Sequence, residues 1–282
     1  MSMAAVLQTA TDGELEIMEA ALVRVSKASG APSVAERLAW LEEHLSAFEM
    51  WAAKMKKAQA PWYDALEAEV LNNLGATSKA VGDEVAVLLF DEDAASEALD
   101  LALRPLYLDA YEQLGLQAIA SVKGGIAFDI QNPRALAELA KREVLMKTVA
   151  ADAQTRLRDS IAAGMKSGET VKDLTARVKE WAVTGRESYA ENVARTETGS
   201  ALNRGAQEGY KQAGCTTKTW LSVVDDRSRT DHAALDGVSV DFDEGTFGLA
   251  SGSWDGPHDP GMGPEDVCNC RCTVIGGFGK VN

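Results

Sequence analysis

The sequence lacks the features of several broad protein classes. No apolar run approaches the ~18–20 residues a membrane helix needs; the longest candidate is Val85-Ala86-Val87-Leu88-Leu89-Phe90. The stretch Met1 to Glu16 has no basic n-region and no apolar h-region, so no secretory signal is expected and the thiols are expected to stay reduced. Between Thr230 and Cys270 there is no Lys or Arg, although the stretch holds nine carboxylates. The chain carries 28 basic against 43 acidic side chains, a net charge of −15. Phosphate contacts need Lys and Arg, so this balance argues against direct DNA binding as the main task.

What is present bounds the fold. Hydrophobic residues make up 46% of 282 residues, enough to bury a core and to exclude a disordered chain. The length suits about two domains. Residues 1–131 carry a net charge of −12, residues 132–218 of +4 and residues 219–282 of −7. This unevenness predicts separate modules. We expect a mainly helical α+β chain, with a helical N-terminal region over 1–131, bundle- or coiled-coil-like, and a second domain over 132–282. The second domain divides into helices (132–213) and a small α+β module (214–282) with a few short strands and a long glycine-rich loop.

Periodicity places the helices. Val34, Leu38, Leu41, Leu45, Phe48, Ala52 and Met55 alternate steps of four and three, which puts them on one helical seam. Ser33 and Glu36 form a capping-box pair at its start. Pro61 is expected to end this helix. A second follows, with Trp62, Leu66, Val70 and Leu74 inward and Gly75 at its end. Residues 80–120 read as helix broken at Pro105. Gly124-Gly125 and Asn132-Pro133 mark a junction. Leu136, Leu139, Val144, Val149, Leu157, Ile161 and Met165 lead to a stop at Ser167-Gly168. Thr170 caps a helix that presents Val171, Leu174, Val178 and Trp181 on one side, and Gly185 is expected to break it. A further helix runs from about Glu187 to Gln212. Thr216 to Val224 reads as a strand, Arg229 to Leu235 as a short helix, and Gly237 to Phe242 and Cys270 to Ile275 as strands.

Three of the four Cys are Cys268, Cys270 and Cys272. Spaced two apart in an extended chain, they share one face. With His232 they make a thiolate–imidazole set of the kind zinc takes, so Zn²⁺ is the one cofactor the residues point to. His258 lies in the same C-terminal segment. The competing reading is thiols packed in a core.

The ordered motifs resemble the phage head morphogenesis domain, the Mu F-like or minor head protein family, from about Asn132 to Ile275. The resemblance rests on Ala194-Arg195-Thr196-Glu197-Thr198 with Asn203 following, on Trp220 in the next strand, and on the run Asp225-Asp226-Arg227-Ser228-Arg229-Thr230-Asp231-His232. Leu235-Asp236-Gly237 and the closing Asn269-Cys270-Arg271-Cys272-Thr273 complete it. Ser228 stands where the family usually has Thr, and Cys268 is an extra thiol beside the usual pair.

The resemblance implies a structural virion protein and no enzyme. It would be made in the bacterial host cytoplasm and built into the phage head as a low-copy minor capsid component. It would act in head morphogenesis at or near the portal, in genome packaging or delivery. Its partners would be the portal protein and the major capsid protein, with no membrane. The N-terminal helices are the expected self-association surface.

From the residues themselves, Arg195 or Arg271 is expected to fasten the motif helix to the Asp225 turn through a bidentate pair. Asp225 or Asp226 would cap the helix bearing His232, and Gly237 would allow the exit after Asp236. The structural motif that the resemblance implies is Arg195, Glu197, Asn203, Trp220, Asp225, Arg227, Arg229, His232, Asp236, Gly237 and Arg271. The imidazole of His232 is expected within ~4 Å of the Cys270 and Cys272 sulfurs. The alternative is a metal-dependent nuclease or transferase carried in the virion, with Asp225, Asp226 and Asp231 holding Mg²⁺ or with Arg195, Glu197 and His232 at a reaction centre.

Overall fold

The computed structural model describes residues 32–77, 89–122, 126–140 and 143–280. The expected Gly124-Gly125 loop, the first residues of the 80–120 segment and the side chains of Leu139 and Val144 lie outside what is described. The described residues are mainly helical with a small sheet-bearing C-terminal part, so the chain is α+β. The helices are α1 (Val34–Ala58), α2 (Ala60–Thr77), α3 (Glu92–Val122), α4 (Pro133–Ala140), α5 (Glu143–Lys166), α6 (Val171–Thr184) and α7 (Ala190–Gln212). A π-helical turn, Gly185–Tyr189, joins α6 to α7. Then come β1 (Thr217–Leu221), α8 (Thr230–Ala234), β2 (Ser239–Asp241), β3 (Phe247–Leu249), β4 (Gly252–Trp254), α9 (Pro264–Val267) and β5 (Thr273–Gly277). No described helix is long and apolar enough to cross a membrane.

Two compact units are drawn from interleaved stretches. One takes the described residues within 32–51, 107–136 and 195–280; the other takes those within 52–106 and 137–194. These borders follow neither the acidic-to-basic change near residue 131 nor the ends of the helices. α1, α3, α4 and α7 each pass from one unit into the other, so chain order and compactness part company.

The local signals at helix starts act as chemistry requires. Ser33 Oγ accepts from the Glu36 amide at 3.2 Å while Glu36 Oε2 accepts from the Ser33 amide at 2.7 Å. Thr170 and Asp173 make the same reciprocal box at α6. Pro61 sits in the first turn of α2, where its missing N–H costs nothing, and α1 ends three residues earlier. Trp62, Leu66, Val70 and Leu74 are all buried along α2, each worth about 1.5–3 kcal/mol relative to exposure.

Four helical expectations are corrected. The buried stripe of α1 runs Trp40, His44, Ala47, Phe48, Trp51, Ala52 and Met55, whereas Leu38 is 58% exposed and Leu41 and Leu45 are half-buried. The large aromatic rings, rather than the leucines, set the inward face. α2 runs past Gly75 to Thr77. Pro105 stands inside the 31-residue α3 without ending it; the carbonyl it leaves unbonded belongs to Leu101, on a face open to water. Gly185 continues the helix through the π turn, because a Cβ there would collide with the Tyr63 ring. In addition, Val171, on the apolar side expected for α6, is exposed, as are Leu136 and Met165.

In the first unit, β1 is the centre of a three-stranded antiparallel sheet of order β2-β1-β5, with Thr219 opposite both Ser239 and Ile275. β3 and β4 form a separate hairpin. The glycine-rich stretch is therefore a hairpin and a short helix rather than one long loop. Trp220, Phe247, Met262, Cys270, Cys272 and Val274 make its core, with Leu235, Val240, Leu249, Trp254 and Val267 packed against them.

Candidate functional site: a pinned cysteine strap

Residues Cys268 to Cys272 cross the C-terminal module as a strap between α9 and β5. Each alternate carbonyl along the strap is held by a side chain from a different element. Arg229 Nη2 donates to the Cys268 carbonyl at 2.8 Å, His258 Nε2 to the Cys270 carbonyl at 3.0 Å, and Asn203 Nδ2 to the Cys272 carbonyl at 3.0 Å. Between them the Arg271 guanidinium grips both oxygens of Asp225 at 2.7 and 2.8 Å. Both bonds come from the one nitrogen Nη2, and a charge-assisted bond of this kind is about twice as strong as a neutral one.

The turn that supplies Asp225 is itself closed. Asp225 accepts from the Arg227 amide at 3.1 Å and from Ser228 Oγ. Arg271 beside it holds the Asp225 carboxyl well below the usual range; burial opposes this, and the Ser228 and Arg227 bonds add to it. The Arg227 side chain is largely exposed and lies 3.7 Å from Asp225. Asp236 accepts from the Ser222 amide at 2.9 Å, and Gly237, at φ +80°, donates to the Trp220 carbonyl at 2.8 Å. That positive φ is what lets the chain turn back onto β1.

His232 lies under the strap, 2% exposed. The Trp220 ring meets it edge-on, with centroids 5.5 Å apart. Its Nδ1 is 3.6 Å from Cys270 Sγ and 3.6 Å from Cys272 Sγ, within the ~4 Å expected. Its Nε2 makes no hydrogen bond and faces Asp266 Oδ1 at 3.5 Å. Asp266 is buried on α9 and also accepts from Ser251 Oγ. Ser222 Oγ is 3.3 Å from Cys272 Sγ.

The electrostatics follow from these contacts. The Cys270 thiol bonded to the Cys272 sulfur lowers the pKa of Cys272 and raises that of Cys270; burial works against the first shift and with the second. Burial opposes a charged His232, but its bond to Cys272 and the charges of Cys272 and Asp231 outweigh that and raise its pKa. Burial takes His258 the other way, down to about 4. As a carbonyl only accepts, His258 must carry its proton on Nε2.

Several expected partnerships differ. Arg195 does not reach the Asp225 turn: it pairs with Glu49 of α1 at 3.1 and 3.2 Å and lies over the Phe48 ring. Neither Asp225 nor Asp226 caps α8, whose N-cap is Arg229 without a side-chain bond. Asn269, at φ +57°, breaks the extended alternation, and Cys268 is not in the group that His232, Cys270 and Cys272 form. Asp225, Asp226 and Asp231 do not gather for Mg²⁺; the carboxylates that come together with His232 are Asp231 and Asp266. Glu197 is buried on α7, and Arg195 and Glu197 are not members of either ligand group.

Sequence reasoning missed three contributors. Asp266 and Ser222 carry no motif signal. Gly199 does: a Cβ there would enter the His258 ring, so a glycine in mid-helix marks where that ring packs.

The cavity at the strap, lined by Val223, Arg229, His232, Cys270, Arg271 and Cys272 among others, holds about 20 Å³, room for about one water. A larger cavity of about 500 Å³ lies within the other unit, beside Tyr63, Arg156, Arg177, Trp181 and Tyr189. Its arginines are engaged: Arg177 with Glu169, and Arg156 with Asp152.

The family described as Phage Mu protein F like protein matches residues 155–275. NAD(+)–arginine ADP-ribosyltransferase EFV of Enterococcus faecalis is 35% identical over 121 residues, covering 42% of this chain and 24% of that protein. This chain thus spans about a quarter of that relative's length. Minor head protein GP7 of Bacillus phage SPP1 is 26% identical over 220 residues, covering 76% of this chain and 68% of that protein. No solved structure matches the chain. Residues 155–275, which contain all of the strap and the side chains that pin it, are thus the part of the chain that is similar to the Mu F-like minor head protein family.

Proposed function

We propose that the chain is a structural component of a phage head, built in at low copy at or near the portal, where it serves head morphogenesis and genome packaging or delivery. One observation carries this reading. Asn203, Asp225, Arg229 and Arg271 of the matched segment, with His258, are spent on pinning the Cys268–Cys272 strap, and the cavity among them has room for about one water rather than a substrate. The likeness to the SPP1 minor head protein over 76% of this chain supports it. The partners are the portal protein and the major capsid protein, with further self-association through the N-terminal helices. The test is co-purification: tagged chain expressed with its cognate portal and major capsid proteins is captured, and the portal co-elutes at a fixed ratio. Capture of neither protein counts against the reading.

A second reading, a transferase carried in the virion, is favoured by the 35% identity to the ADP-ribosyltransferase. The matched stretch covers only 24% of that protein. Incubation with NAD⁺ and an arginine-rich acceptor decides between the two: release of nicotinamide supports the transferase, and its absence supports the structural reading.

A further inference from the structure

We infer that His232, Cys270 and Cys272 form a zinc site, with His232 bound through Nδ1, both thiols as thiolates, and a solvent molecule at the fourth position. The distances are the first reason. Zinc bonded to sulfur at ~2.3 Å and to nitrogen at ~2.05 Å, with a tetrahedral angle of about 109°, sets each sulfur about 3.6 Å from the nitrogen. Both sulfurs stand at 3.6 Å from Nδ1.

The second reason is donor arithmetic. A single ring nitrogen has one lone pair or one proton and serves one sulfur, yet two sulfurs converge on Nδ1 at equal range. An ion between the three atoms satisfies all of them. The third is the far side of the ring. Nε2 is buried without a hydrogen bond and faces Asp266 at 3.5 Å. With Nδ1 on a metal, Nε2 keeps its proton and directs it at that carboxylate, the arrangement by which protein zinc sites orient their histidines. The Ser222 hydroxyl beside Cys272 Sγ is placed to donate to a thiolate.

The cavity on the solvent side of the cluster, about 20 Å³, accommodates the fourth ligand as a water. Charge is consistent: two thiolates balance one divalent cation. Binding releases the two thiol protons to solvent and involves no oxidant. The hairpin and sheet around the site have strands of three to five residues, a module whose small core gains most from a metal cross-link.

The experiment uses the full chain purified reduced and without chelator. Elemental analysis should give about one zinc per chain. Chelator-stripped protein titrated with Co²⁺ should develop a thiolate-to-cobalt charge-transfer band saturating at about one equivalent. Cys268→Ser keeps the band; Cys270→Ser, Cys272→Ser and His232→Gln abolish it; Asp266→Asn keeps it with zinc affinity lowered about 10–100-fold. Stripping lowers the melting temperature by about 5 °C or more. Folded, reduced wild-type protein with under about 0.1 zinc per chain and no cobalt band overturns the site. So does a Cys270–Cys272 disulfide in freshly purified protein, or a band that survives loss of both thiols. None of these readouts depends on incorporation into heads, so the site and the assembly reading stand or fall separately.

Discussion

Asn203, in the middle of α7, donates its amide to the carbonyl of Cys272, 69 residues further along the chain, at 3.0 Å. The same nitrogen also reaches the Gly199 carbonyl one turn back, so the side chain is held in one rotamer between its own helix and the strap. Replacing Asn203 with Leu leaves a buried carbonyl short of a donor and should destabilise the protein by about 1–3 kcal/mol. Urea unfolding followed by tryptophan fluorescence measures this.

Arg271 and Asp225 should act as one unit. Asp225 is about a third exposed and Arg271 mostly buried, so solvent screens part of their attraction. A double-mutant cycle with Arg271→Ala and Asp225→Ala should give a coupling of about 1–2 kcal/mol. Arg271→Lys should recover part of it, since both bonds to Asp225 come from the one nitrogen Nη2. A coupling near zero would mean that the pair only decorates the turn.

Gly199→Ala places a methyl in the His258 ring and should cost about 1–3 kcal/mol. In a His258→Ala background the same change should cost much less, because the obstructing ring is gone. Thermal unfolding of the four proteins checks the non-additivity.

The pH profile of stability should be shaped by His44. It is fully buried on α1 with neither ring nitrogen hydrogen-bonded, and burial, with a smaller contribution from His258, lowers its pKa to about 3. An unfolded histidine protonates near 6.5. The unfolded state therefore binds more protons as pH falls, so the stabilising effect of a neutral His44 is complete above about 6.5 and is lost progressively toward pH 3. His44→Phe should flatten that part of the profile in denaturant titrations from pH 7 to pH 4.

Much of this was legible in the chain, and the division has physical causes. The Ser33–Glu36 capping box, the Thr170 cap and the inward face of α2 follow from local spacing, and they hold. The convergence of His232 on Cys270 and Cys272 followed from motif order and alternation. What failed depends on distant partners. The inward face of α1 is set by Trp40, Phe48 and Trp51, with Trp40 packing on Tyr210. Gly185 looked like a helix break, but its missing Cβ makes room for Tyr63. Arg195 turned to Glu49, a residue outside every motif. Cys268 is not in the ligand group, and Asn269 beside it takes a left-handed conformation that spacing does not announce.

The most direct test of the central claim is quantitative mass spectrometry of purified, DNA-filled heads assembled with this chain. The account predicts that the wild-type chain is present at a fixed low copy number. It predicts that a variant lacking the strap's pins, Asn203→Leu with Arg271→Ala, is depleted although expressed. Heads of normal composition that contain none of the wild-type chain would contradict it.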